Sequence, residues 1–581
     1  MPAQSDGDVH MAAKPFESRI QDLVYNVDVG VGHQALKVGL YVLTVLGIML
    51  FYLATQFRGL READAMDAAQ LGRNLLYHKK YITQCIRPLS ITYLERKTGR
   101  RPPILEGHPE LIRPPFYPAA LAVMFKLTSP PFKVEPKHRI FPAEQRAVIP
   151  FNLGMTLLTG LLLFFLARRM FDYRVGFLST TVFFLSDTVW NSTISGSGAA
   201  LLMLLTIGAV YSALAAASVL REKQSLRRAA GLLLLSSALT AAAFLTRYAM
   251  AVLAPAVALL IWVYVGGRRG LRWAGLYAVV AAILVSPWIV RNIMVCRSPL
   301  GLAPLMALEG TRLFPGDQLT RTLNPEFRFG AALNALLIKW LENASHLYRV
   351  NLRTLGDGIL ICLFLTSFLH RFVRRPVQIL RWPVGLAVLL LVGVAGFYGE
   401  VTARLLAVFW PLIIPYAMAF FLVLLTRLQL SLRILESAVV WLMVLLTALP
   451  LIFRILPPRE GPPYPPYYAP FVILVSNMLE PDEVMCSDMP WATAWYGSRT
   501  SIQLPQTIDD FYQINDFVQR ISGLYFTTLT RDKRFVSDLL TGPEKSWFPV
   551  LEGRIPPDFP LTQGFPLSNM EQIFLTDRKR W

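Results

Sequence analysis

Three carboxylates, Glu62, Asp64 and Asp67, stand close together directly after the first apolar run of the chain. A carboxylate at a membrane edge can act as a general base on a substrate held there, or hold a divalent metal against a phosphate. On a helix Asp64 and Asp67 would be i,i+3 neighbours on one face. The same acids equally suit the first turn of a helix, where they complement its dipole. Further along comes a proline-aromatic run, Arg113-Pro-Pro-Phe-Tyr-Pro118. Arg247, Arg291 and Arg404 lie at the ends of apolar runs, and guanidinium groups suit bidentate phosphate contact. Snorkelling to ordinary headgroups, or pairing with Glu400, is the competing reading. Tyr117 and His108 are further candidate contacts to substrate or lipid phosphate. His78, His108 and His138 follow no HxxxH or HExxH spacing, so a metal is admitted only through the acids and no cofactor is required. Trp491, Trp495 and Tyr496 offer either a sugar-stacking platform or packing of a small domain, and packing is the expected role.

The elements that must position these residues follow from composition. The chain is 54% hydrophobic and 16% charged, against about 25% charged in soluble proteins. Repeated apolar runs of about 20 residues mark a mainly α, polytopic membrane protein. Eleven spans are expected, at 36–56, 147–167, 175–192, 198–219, 229–247, 250–266, 273–293, 352–370, 383–400, 404–426 and 434–454. The first 35 residues are mixed in charge and have no signal-peptide pattern. The net charge of +19 resides mostly in short loops, as topology requires, and does not indicate nucleic acid. Basic loops alternate along the chain, beginning with Arg168 and Arg169, and place the N-terminus inside.

Three domains are therefore expected: a cytoplasmic segment 1–35, a membrane domain 36–456 whose outer loop 57–146 carries the site, and an extracytoplasmic α/β domain 457–581. Residues 114–128 are apolar but too few to cross a bilayer, which takes about 20. They read as a helix lying in the outer interface. The tail alternates helix (472–479, 491–497, 508–521) with strand (483–487, 501–504, 523–528), predicting a partial parallel sheet. A proline-rich linker precedes it. Four cysteines without CxxC spacing exclude a metal cluster or a dense disulfide framework. One disulfide among Cys85, Cys296 and Cys486 stays open.

Taken in order, several segments resemble the C superfamily of membrane glycosyltransferases that use polyprenyl-phosphate sugars, in the protein O-mannosyltransferase and aminoarabinose transferase branch. The segments are Asp64-Ala-Met-Asp67 followed by Leu71-Gly-Arg-Asn-Leu-Leu76, Pro114-Pro-Phe-Tyr-Pro118, Ala167-Arg168-Arg169, Leu245-Thr-Arg247 and Pro287-Trp-Ile-Val-Arg-Asn292. Ala494-Trp-Tyr496 and Leu504-Pro505 resemble the outer C-terminal domain of that family. The family opens its outer loop with Asp-Glu, where this chain has Asp64-Ala65.

The resemblance implies inverting transfer of a sugar from a polyprenyl-phosphate donor to a lipid, glycan or protein acceptor. Asp64 would be the base, the role of the missing second acid would pass to Asp67 as a second catalytic residue, and Arg404, Arg247 and Arg291 would offset the charge of the leaving phosphate. It also implies an active site facing the periplasm from a bacterial inner membrane. The alternatives are an inactive scaffold of the same fold, because of the missing second acid, or a lipid or solute transporter. No internal repeat of the kind many transporters carry is seen.

Overall fold

The computed structural model describes residues 31–581 apart from 134–139, 223–224, 348, 350–355, 399–405, 430–431, 457–468, 532–539, 543 and 568–571. The expected site residue Arg404, its neighbour Glu400 and the proline-rich linker fall outside the described residues. Contacts divide the chain into two units, 1–57 and 58–581. The first contributes one apolar helix, Val31–Gln56, long enough to cross a bilayer.

Nine described helices are long and apolar enough to span a membrane, and the chain is an integral multi-pass membrane protein. They coincide with nine of the eleven expected spans. The other two differ. Residues 175–192 form two helices, Tyr173–Phe184 and Asp187–Ile194. Ser186 is extended between them, and the Trp190 indole donates back to the Phe184 carbonyl at 2.7 Å. The extended Ser186 ends one helix and a new one starts at Asp187, where hydropathy alone read continuity. In the 352–370 region the described helix is Asp357–Ser367, 11 residues long.

The loop after the first span folds as Ala63–His78, Pro88–Thr98 and Phe116–Thr128 helices with short strands β1 (Ile82–Thr83), β2 (Cys85–Ile86) and β3 (His108–Pro109). Phe116–Thr128 has 13 residues, too few to cross. It packs closely on Ala63–His78, because a Cβ at Gly72 would stand 2.9 Å from the Pro118 carbonyl. Only glycine allows that approach.

The tail supplies β4 (Val484–Ser487), β5 (Ser501–Gln503), β6 (Ile521–Phe526), β7 (Gln563–Pro566) and β8 (Ile573–Thr576). The sheet order is β2-β5-β4-β6-β8-β7. β2, β5, β4 and β6 run parallel, and β8 and β7 are antiparallel. The three strands foreseen in the tail are β4, β5 and β6. The edge strand β2 comes from the first loop, and β7 and β8 complete the other side.

Ile86, Cys486, Ile502, Phe511, Leu524 and Trp547 fill one core. A second core joins Leu89 and Leu111 of the first loop to Cys296, Leu302 and Phe314. All four cysteines are free, and Cys296 lies in a different core from Cys486, so the disulfide left open by the sequence does not form.

Two buried arginines fasten the loops to the tail. Arg73 donates to the Trp495 carbonyl at 2.8 Å and to the Ala494 carbonyl. Arg321 donates to the Leu504 carbonyl at 2.8 Å and pairs with Glu544. Each satisfies carbonyls that would otherwise be buried without a partner.

Candidate functional site

A cavity of about 870 Å³ opens between the start of the Ala63–His78 helix, the proline-aromatic segment, the 300–320 loop and the carboxyl ends of the parallel strands. Asp64, Arg87, Arg113, Arg247, Glu309, Asp317, Lys339, Trp491 and Gln503 line it.

Glu62 is the N-cap of the Ala63–His78 helix, in extended conformation, and Asp64 lies in its first turn. The positive end of the helix dipole therefore favours the ionised Asp64 carboxylate. Asp64 Oδ1 accepts from Arg113 Nη2 at 2.6 Å and Oδ2 from Arg247 Nη2 at 2.8 Å. One turn on, Asp67 Oδ2 accepts from Arg87 Nη2 at 2.8 Å and Arg113 Nε at 2.7 Å. Asp67 Oδ1 accepts from Gln70 Nε2 at 3.1 Å. Arg113 thus bridges both acids, the spacing expected of i,i+3 neighbours on one face.

The two acids differ in access. The Asp64 side chain is 37% exposed and that of Asp67 only 1%. Arg113 holds the Asp64 carboxyl far below the usual carboxylate range, outweighing burial, and Arg247 adds to the effect. For Asp67, burial pushes the pKa up, but Arg113 and Arg87 together bring it below the ordinary value. Glu309 is the contrasting group. Burial lifts its pKa to about 7, opposed by Arg87 and reinforced by Asp317. The cavity therefore pairs an always-ionised carboxylate clamped by guanidiniums with one that titrates near neutrality.

Every carboxylate oxygen of Asp64 and Asp67 already faces a guanidinium or the Gln70 amide. A divalent cation there would meet three arginines, so these acids do not suit a metal. Among the described residues no group of three metal-ligating side chains occurs.

The remaining candidates fall differently. Tyr117 lines the cavity but its hydroxyl is engaged, donating to the Gly196 carbonyl at 2.7 Å and accepting from Asn152 at 3.0 Å. Its ring fits against Gly198, whose φ of +81° and lack of a side chain leave that space. Arg291 does not line the cavity. Its guanidinium stacks 4.9 Å from the Trp288 ring centroid and donates to the Glu110 carbonyl at 2.8 Å. His108 is buried against Ser90, Nε2 to Oγ 2.8 Å, and burial lowers its pKa to about 4, so it is neutral and away from the cavity. Trp495 is fully buried and donates to Glu144 at 2.8 Å, which is packing. Among the described tail aromatics, Trp491 lines the cavity and Trp495 and Tyr496 do not.

Several lining residues carried little sequence signal. Arg113 heads the proline-aromatic run and was within reach of a sequence reading. Arg87, Glu309, Asp317 and Gln503 stand in no motif, and only the fold gathers them.

The profile of a family described as Dolichyl-phosphate-mannose-protein mannosyltransferase matches residues 134–290. No curated protein matches the chain in sequence. Among solved structures, the archaeal oligosaccharyltransferase AglB from Archaeoglobus fulgidus, in complex with an inhibitory peptide and a dolichol-phosphate, superposes with a TM-score of 0.55 at 11% identity. That match covers 94% of this chain and 75% of AglB. ArnT from Cupriavidus metallidurans superposes with a TM-score of 0.54 at 12% identity in the apo state, covering 94% of this chain and 98% of ArnT. The same enzyme bound to undecaprenyl phosphate also gives 0.54 at 12% identity, over 93% and 98%.

Proposed function

We propose that this chain, which has the fold of the C-superfamily membrane glycosyltransferases, is an inverting glycosyltransferase. It takes a sugar from a polyprenyl-phosphate donor and passes it to a lipid, glycan or protein acceptor on the outer face of a bacterial inner membrane. The observation that carries the reading is the Asp64 carboxylate held between Arg113 and Arg247 at the wall of the cavity. AglB and ArnT, of similar fold, are seen with dolichol-phosphate and undecaprenyl phosphate, which supports a lipid-linked donor.

Asp64 is too well neutralised to be a strong base while both guanidiniums hold it. The donor phosphate, an oxyanion, competes for Arg247 and draws it off Oδ2. Losing one cationic partner raises a carboxylate's pKa by about 1–3 units, which restores basicity when donor is bound. Asp64 then takes the proton of the acceptor hydroxyl or amine. The acceptor atom attacks the anomeric carbon from the face opposite the phosphate, and the bond from that carbon to the phosphate oxygen breaks. The electron pair leaves on polyprenyl phosphate, whose charge is offset by Arg247 and Arg113. Asp67 positions Arg113 and Arg87 without touching substrate.

An inactive scaffold is the second reading, favoured by the buried alanine at position 65, where the family that the sequence resembles has the second residue of its Asp-Glu pair. Asp64→Asn in a cell lacking the native gene separates the two. Loss of a surface glycan or glycoform at normal protein level supports catalysis. Full retention of the product refutes Asp64 as base, and a wild-type chain without effect on any glycan favours the scaffold.

A further inference from the structure

The floor of the cavity is the carboxyl edge of the sheet. Arg87 directly follows β2, Gln503 ends β5, and Pro490 and Trp491 follow β4, and all of them line the cavity. Open parallel sheets bind ligands outside the carboxyl ends of their strands. Gln503 is 4% exposed. Its Nε2 donates to Asp317 Oδ2 at 3.3 Å, and its Oε1 has no hydrogen-bond partner among the described residues. The contact with Asp317 fixes the orientation of the amide, since the opposite one would set its oxygen against a carboxylate. A buried acceptor left open is costly. The Asp317 carboxylate, whose Oδ1 pairs with Arg321 at 3.3 Å while the side chain stays 47% exposed, and the half-buried Trp491 ring line the same cavity.

Acceptor oxygens next to an aromatic face suit a ring bearing several hydroxyls: the hydroxyls donate to the oxygens and the C–H face covers the indole. We propose that Gln503, Asp317 and Trp491 form the subsite that binds the sugar of the donor, with the half-exposed Asp317 carboxylate accepting from a sugar hydroxyl and Gln503 holding that carboxylate in place. The guanidiniums of Arg113 and Arg247 line the same cavity, so one ligand with a phosphate next to a sugar satisfies both sets. The inference rests on the donor reading above and specifies which part of the donor the tail reads.

The test uses the full chain in lipid nanodiscs, titrated with undecaprenyl phosphate and with undecaprenyl phosphate carrying mannose, glucose or galactose. Wild type is expected to bind at least one sugar-bearing lipid about tenfold more tightly than the bare lipid, the scale of one hydrogen bond. In Gln503→Leu and in Trp491→Ala that gain disappears, while affinity for bare undecaprenyl phosphate, which also reports correct folding, stays within about twofold. Three outcomes overturn the subsite: no gain for any of the three sugars in wild type, a gain that survives both substitutions, or a parallel loss of bare-lipid binding in both. Failure of the wild type to bind bare undecaprenyl phosphate overturns the donor reading itself, so the two failures are distinct.

Discussion

Replacing Arg247 by glutamine removes one cation from the cavity wall and leaves the frame behind it. The guanidinium is 25% exposed and its partner Asp64 is 37% exposed, so the ion pair is solvent-screened and contributes no more than about 1 kcal/mol to folding. Thermal stability should therefore hold. Donor binding should not. A hydrogen bond to a charged group contributes about 1.5–3 kcal/mol, and each 1.4 kcal/mol is tenfold, so affinity for undecaprenyl phosphate should fall by about 10- to 150-fold. Asp64 stays ionised at pH 7, because Arg113 still bonds its Oδ1 and the loss of one partner raises the carboxyl by only about 1–3 units from far below the usual range. Protonation of Asp64 thus cannot mimic the effect. The assay is equilibrium binding of undecaprenyl phosphate to the full chain in nanodiscs at several salt concentrations. The salt dependence should be shallower in the variant, since one guanidinium no longer meets the phosphate. An affinity within twofold of wild type, with unchanged salt dependence, refutes Arg247 as a phosphate ligand.

Asp67→Asn should destabilise the chain by about 3–5 kcal/mol, because it leaves Arg87 and Arg113 facing an uncharged group in a buried site; denaturant unfolding measures this. The folded pKa of Asp67 is lowered, so its stabilisation is complete above about pH 4, the unfolded value, and is lost as pH falls toward the folded one. The variant should lack that part of the acid-induced loss. Glu309, at about 7, is neutral below that pH and anionic above it, in a cavity it shares with Asp64, Asp317, Arg87 and Lys339. Binding of anionic undecaprenyl phosphate should weaken as pH rises through 7, and Glu309→Gln should flatten the profile; an unchanged profile removes Glu309 from the field of the phosphate.

Hydropathy made nine of the spanning helices legible, since a run of apolar residues is a local property. Alternation did the same for β4, β5 and β6. It failed at Cys85–Ile86, because two residues carry no period and the pairing partner, Ser501, stands far along the chain. Asp64 and Arg247 were legible as chemical types at span ends, but the bond between them was not, nor was the role of Arg113 as bridge. Arg291 had the same credentials as Arg247. What separates them is the company each keeps: Trp288 and the Glu110 carbonyl occupy Arg291, and no local pattern announces a carbonyl acceptor from another loop. Gln503 was invisible for a related reason, since an amide at a strand end becomes conspicuous only when one of its atoms is found without a partner.

The borrowing of strand β2 by the tail sheet has a consequence for biosynthesis. A growing chain can insert its spans and fold its first loop early, yet Cys85–Ile86 has nothing to pair with until Ser501–Gln503 emerges. Arg87, the next residue, waits with it, and the cavity floor made by Gln503 and Trp491 does not exist before then. Such long-range parallel pairing is slow to form. A nascent or truncated chain already seated in the bilayer would therefore carry Asp64, Arg113 and Arg247 without the floor of the cavity until the tail docks.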